Sequence, residues 1–122
     1  MWPKGIHWVG WTRDRLRHIW DKHKISEQEL QQALAWPSVN PIFKRGGQQR
    51  YSLYAQTSEG RHVFAVADMI CKDEKPGMSI YEIRDADTAE GLPEKGKRGA
   101  YIVTCRDMTD AERRWFRSMI DH

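Results

Sequence analysis

Cations gather at points where this chain turns. Lys22, His23 and Lys24 close one amphipathic segment, Arg61 follows Gly60 at the start of an apolar run, and Arg106 ends another such run just ahead of a helix start. Histidine exchanges a proton near neutral pH. Arginine grips phosphate through two parallel N–H bonds, and the free N–H groups at a helix start favour an anion. Together these groups suit cleavage of RNA without a metal. The ribose 2′-hydroxyl attacks the adjacent phosphate, one side chain removes its proton, cations stabilise the crowded phosphate, and another group protonates the leaving oxygen. Lys22 and His23 would handle protons, Arg61 and Arg106 would stabilise charge, and Lys24 would bind phosphate. Each assignment has a plainer counterpart. Cations at a helix C-terminus complement its dipole, and Arg61 and Arg106 could each pair with a carboxylate such as Asp68, Asp107 or Glu112.

The elements that must position these residues follow from periodicity. Between Arg13 and His23, Leu16, Ile19, Trp20 and His23 recur at i, i+3, i+4 and i+7, one face of an amphipathic helix. Thr12 suits its N-cap. Arg13, Arg15 and Arg17 fall mostly outside that stripe and read as a solvated face. Ser26 and Glu29 have the spacing of a capping box. They open a second helix over 27–35, with Leu30, Ala33 and Leu34 buried and Pro37 as its stop. Residues 6–11 read as an edge strand or a strip packed over the first helix, and Asn40-Pro41 as a turn.

Residues 51–57 alternate as a half-buried strand does, and 61–71 carry the apolar run of a central strand; with Gly60 between them they form a hairpin. Residues 78–83 suit a short strand and 101–105 a further one. Thr109 and Glu112 repeat the capping-box spacing, and Ala111, Trp115 and Met119 would line the inner face of the last helix. Residues 72–99 read as an irregular insertion. The expected fold is a single α+β domain over 1–122, with a small antiparallel sheet, two N-terminal helices and one C-terminal helix packed on it.

Bulk properties narrow the class. Of the 122 residues, 39% are hydrophobic and 30% charged, which fits a folded chain and not a disordered one. The net charge of +3 permits a nucleic-acid partner without demanding one. No apolar run approaches the roughly 20 residues of a membrane span, and 1–5 lack a signal peptide's apolar core. A cytoplasmic protein with no membrane association is expected. Cys71 and Cys105 lie in strand-like segments and read as buried thiols. His7, His18, His62 and His122 lack metal-ligand spacing, so neither metal nor cofactor is expected. The six tryptophans read as packing residues, with Trp8 and Trp11 the two most suited to stacking on a base.

Three stretches taken in order resemble the BrnT family, the toxin component of bacterial type II toxin–antitoxin pairs, itself similar to RelE-type ribonucleases. They are Trp20-Asp-Lys-His-Lys-Ile-Ser-Glu-Gln-Glu-Leu30, Arg50-Tyr51 with Ser58-Glu-Gly-Arg-His-Val63, and the segment from Tyr101 through Cys105-Arg106-Asp107 to Arg114. The resemblance implies a RelE-like fold and a small ribonuclease that inhibits translation. A cognate antitoxin protein would neutralise it, and DNA would be met only through the antitoxin complex. Lys22 and His23 match the family's Lys-His, Arg61 its Gly-Arg, Arg106 its strand-end Arg, and Glu112 and Arg113 its Glu-Arg, which adds Arg113 to the expected RNA contacts. Lys24 stands where the family usually has Gly, and Trp115-Phe116 where it often has Tyr.

Overall fold

The computed structural model describes residues 6–35, 39–46, 50–71, 77–82 and 98–120. The expected stop at Pro37 lies outside them, as does most of the 72–99 insertion. Of that insertion, Ser79–Glu82 and residues 98–99 are ordered into the sheet.

Six strands form one sheet: β1 (Ile6–Trp11), β2 (Val39–Arg45), β3 (Arg50–Gln56), β4 (His62–Cys71), β5 (Ser79–Glu82) and β6 (Arg98–Asp107). Their order is β2-β3-β4-β6-β1-β5. The α+β class holds, with two corrections. The sheet is larger than expected, and it is mixed rather than antiparallel, because β1 runs parallel to β6. The residues at 6–11 therefore form neither an edge strand nor a strip over the helix. β1 lies between β6 and β5, which shields its backbone on both sides, and its side chains are buried throughout. Asn40-Pro41 is likewise no turn: it falls inside β2, where the pairing with β3 shifts register between Val39 and Ile42.

α1 (Arg13–His23) is capped by Thr12, whose hydroxyl accepts the Arg15 N–H. α2 (Glu27–Leu30) starts with both halves of the Ser26–Glu29 capping box and continues as a π-helical turn over Gln31–Ala35. α3 (Asp110–Ile120) follows β6, with Thr109 and Glu112 bonding each other's backbone N–H groups.

Alternation along the strands divides the core in two. One sheet face presents Leu53, Ala55, Val63, Ala65, Ala67, Ala100 and Ile102 to Ile19, Leu30, Ala33 and Leu34 of the N-terminal helices and to Ile25 in the link between them. The run of alanines lets the helices approach closely. The other face presents Tyr54 and Phe64 to Phe116 of α3 and to Met108, with Trp115 packed against them. Glu27 ties the first layer to the sheet margin: its Oε2 accepts Trp11 Nε1–H and Tyr81 O–H, each at 2.9 Å. The Trp11 bond, with help from Tyr81 and Arg13, outweighs burial and holds the carboxyl below its ordinary range.

Two helix stripes differ from expectation. Trp20 was placed on the buried face of α1 but is 48% exposed, while Ile19 beside it is fully buried in the core against the sheet. On α3, Ala111 and Met119 face solvent. Glu112 occupies the inward stripe with Trp115 and Phe116, which a purely apolar count passes over.

Candidate functional site

The corner between α1 and α2 is built around one arginine. Lys24 caps α1 in the left-handed region, at φ 54, with its N–H on the Trp20 carbonyl. This reverses the chain within three residues, so that Ser26 can start α2. The reversal aims the last carbonyls of α1 at the sheet, where Arg61 waits at the start of β4. Its Nη2 donates to the His23 carbonyl at 3.1 Å and its Nη1 to the Lys24 carbonyl at 2.9 Å.

The remaining donors of Arg61 go to carboxylates. Nη1 reaches Glu29 Oε2 at 2.9 Å, Nε reaches Asp107 Oδ1 at 2.7 Å and Nη2 reaches Asp107 Oδ2 at 3.0 Å. A guanidinium has five N–H groups, and all five are engaged. The backbone of Arg61 is fixed as well, by a bond from its N–H to Thr57 Oγ1 and one from the Thr57 N–H to its carbonyl. Gly60 makes that turn at φ 95.

Glu29 serves two elements at once. Its Oε1 accepts the Ser26 N–H while Oε2 takes Arg61. Burial pushes its carboxyl up, but the Ser26 N–H and Arg61 more than offset this, and the net shift is downward. Asp107 is also held low, chiefly by its Arg61 bond working against burial, with the charges of Arg61, His23 and Arg113 adding to it. His23, Arg61 and Arg113 thus each lie within electrostatic reach of Asp107.

The expected site residues thus separate into groups. Lys22 is exposed and has no ion pair among the described residues; His23 is half-buried beside Asp107; Lys24 is exposed, its Nζ 5.4 Å from the centre of the Trp20 ring. These three share the corner with Arg61. Arg106 does not join them. Successive strand residues point to opposite faces, and where Asp107 turns to Arg61, Arg106 turns towards α3. There it makes a two-point contact with Glu112, at 2.8 and 3.0 Å, and its guanidinium lies 4.3 Å from the centre of the Phe64 ring. Its bond holds the Glu112 carboxyl below the ordinary range against the effect of burial. Arg113 pairs with Asp110 one turn earlier.

Of the pairings open in the sequence, Arg61–Asp107 and Arg106–Glu112 are formed, while Asp68 pairs with Arg50. The second role of Glu29 went unseen, since its capping-box spacing already accounted for it. Among the described residues no group of three or more His, Cys, Asp or Glu is arranged to hold a metal ion. No helix among them is long and apolar enough to cross a membrane. Cys105 is fully enclosed, and burial pushes its thiol up to about 12, which leaves it inert as a nucleophile. No known family's sequence profile, no curated protein and no solved structure matches this chain.

Proposed function

We propose that the protein is a toxin-like endoribonuclease of the RelE-like kind, working without a metal and paired in a bacterial cell with a cognate antitoxin. The observation that carries this reading is the binding of Arg61 to the His23 and Lys24 carbonyls, which pins a proton-exchanging pair at an exposed corner. Lys22 and His23 exchange protons with the 2′-hydroxyl and the leaving oxygen. Lys24 and Arg113 supply phosphate contacts. With its five donors engaged, Arg61 acts here as a positioning residue. Arg106 supports the base of α3, and reaches RNA only by exchanging Glu112 for phosphate. DNA is met through the antitoxin complex.

A second reading has its own observation. Arg61, Arg106 and Arg113 are each held by a carboxylate, so the cations that would stabilise a cleaved phosphate are largely neutralised. A binding module of the same fold, docking a protein partner or RNA without cutting it, fits that balance.

Induction in a bacterial host separates the two. Growth arrest with cleaved RNA from wild type, reduced at least about a hundredfold by His23→Ala or Lys22→Ala at unchanged melting temperature, is the expected result. Intact RNA and normal growth from folded wild-type protein would move the assignment to the binding module.

A further inference from the structure

α1 carries a second stripe beside its buried one. Arg13, Leu16, Arg17 and Trp20 recur at i, i+3, i+4 and i+7 and line one wall of an open groove of about 350 Å³. Ile25, Ser26 and Glu27, at the start of α2, line the other. Trp20 is one of few large apolar side chains left exposed among the described residues.

Around this apolar floor stand more cations than anions. The Arg13 side chain is 73% exposed and meets Glu27 only at 3.6 Å. Arg17 is exposed and has no ion pair among the described residues, and Lys24 lies over the Trp20 ring. Against these three stands Glu27, whose carboxylate is already engaged by Trp11 and Tyr81.

We propose that this groove docks an amphipathic segment of another protein, one that presents a large apolar side chain flanked by Asp or Glu. The apolar side chain enters between Trp20, Leu16 and Ile25. The acidic neighbours meet Arg13, Arg17 and Lys24. Tryptophan and arginine side by side are the residue types that carry most binding energy at protein interfaces. A nucleobase fits less well. Stacked on Trp20, its polar edge would face Leu16 and Ile25, and the hydroxyl of Ser26 is spent on Glu29. Unmade hydrogen bonds of that kind work against binding. The proposal does not depend on whether the protein cuts RNA.

The test is a display library of randomised helical peptides, selected on the wild-type protein after depletion on the Trp20→Ala protein. Enriched peptides are expected to carry Leu, Phe, Met or Trp beside Asp or Glu. Synthesised with a fluorescent label, they should bind at least tenfold more weakly to Trp20→Ala and at least fivefold more weakly to Arg17→Glu. Both variants alter exposed side chains and should melt as wild type does. Met119→Ala, on the exposed face of α3, should bind normally. Affinity should fall as salt is raised, because the flanking contacts are screened. The proposal is overturned if nothing enriches, if the enriched peptides are neutral or basic, or if either groove substitution leaves binding unchanged. It is equally overturned if a single-stranded RNA oligonucleotide binds in a Trp20-dependent way and displaces the peptides.

Discussion

Arg61 holds Asp107 at two points, Nε to Oδ1 at 2.7 Å and Nη2 to Oδ2 at 3.0 Å, and so joins the turn of the β3–β4 hairpin to the last residue of β6. The same guanidinium holds the end of α1. Truncation at this one position should therefore loosen three elements together. Arg61→Ala is expected to cost about 2 kcal/mol, since it leaves the half-buried Glu29 carboxylate, the more exposed Asp107 carboxylate and two carbonyls without their donor. Arg61→Lys retains the charge but offers three donors for five bonds, and should recover only part of the loss. Urea unfolding measures both. Equal stability of Arg61→Ala and wild type would refute the clamp.

Acid should find the same joint. Asp107 and Glu29 have folded-state pKa values below their unfolded ones. Their contribution to stability is then complete above the ordinary carboxylate range, near pH 4, and is lost as pH falls through the lowered folded values. A melting-temperature profile from pH 6 to pH 2 should fall steeply at its acid end in wild type. Arg61→Ala should flatten that limb, and a limb of unchanged steepness would place the acid sensitivity elsewhere.

His62 titrates in a higher window. Its ring meets Phe116 of α3 edge-on, at 5.8 Å, and burial together with the charges of Arg117 and Arg113 pushes its pKa down. A histidine kept neutral in the fold contributes fully above its unfolded value of about 6.5 and progressively less as pH falls below it. Docking of α3 should weaken as pH falls below about 6.5. His62→Gln should remove that dependence, read by Trp115 fluorescence in a background where the other tryptophans are replaced or by amide exchange within α3.

Lys24 should respond to glycine in the opposite sense to most core substitutions. A side chain in the left-handed region is strained, and a helix end of this shape prefers glycine. Lys24→Gly is expected to stabilise by about 1 kcal/mol in thermal or urea unfolding. The same variant removes the cation over Trp20, so tighter folding with weaker peptide binding would separate the two roles of this position.

Gly99 should tolerate nothing larger. A Cβ there would lie 1.9 Å from the Trp8 ring, which is itself almost wholly buried. Gly99→Ala is expected to cost about 3 kcal/mol, at the upper end of overpacking effects. A wild-type melting temperature for this variant would contradict the packing of Trp8 across β6.

The sequence was most legible where a local rule sufficed. The capping boxes at Ser26–Glu29 and Thr109–Glu112, the Thr12 cap, the span of α1 and the hairpin of β3 and β4 all rest on spacings within a few residues. The place of β1 was hidden, because its partners Ala100 and Tyr81 are distant in the chain and a run of buried aromatics reads alike in any orientation. Trp20 and Glu112 misled for related reasons. An apolar residue was left at the surface and a charged one turned inward, and each choice depends on a neighbour supplied by another element. The cluster of cations was visible, but its division was not. Arg106 and Asp107 are adjacent in sequence and lie on opposite faces, so the strand that brings them to one place also parts them.

The parallel pairing of β1 with β6 also bears on how the chain reaches this fold. Val9 is bonded beside Ala100, so a segment made early in synthesis must wait for one made late. Until then Trp8 and Trp11 have no shelter, and the strand carrying them is an unpaired apolar edge. Loop closure of that span is slow compared with formation of the β3–β4 hairpin, whose contacts are local. Folding should therefore begin with the hairpin and end with the insertion of β1, which leaves the nascent chain dependent on whatever covers those tryptophans in the interval.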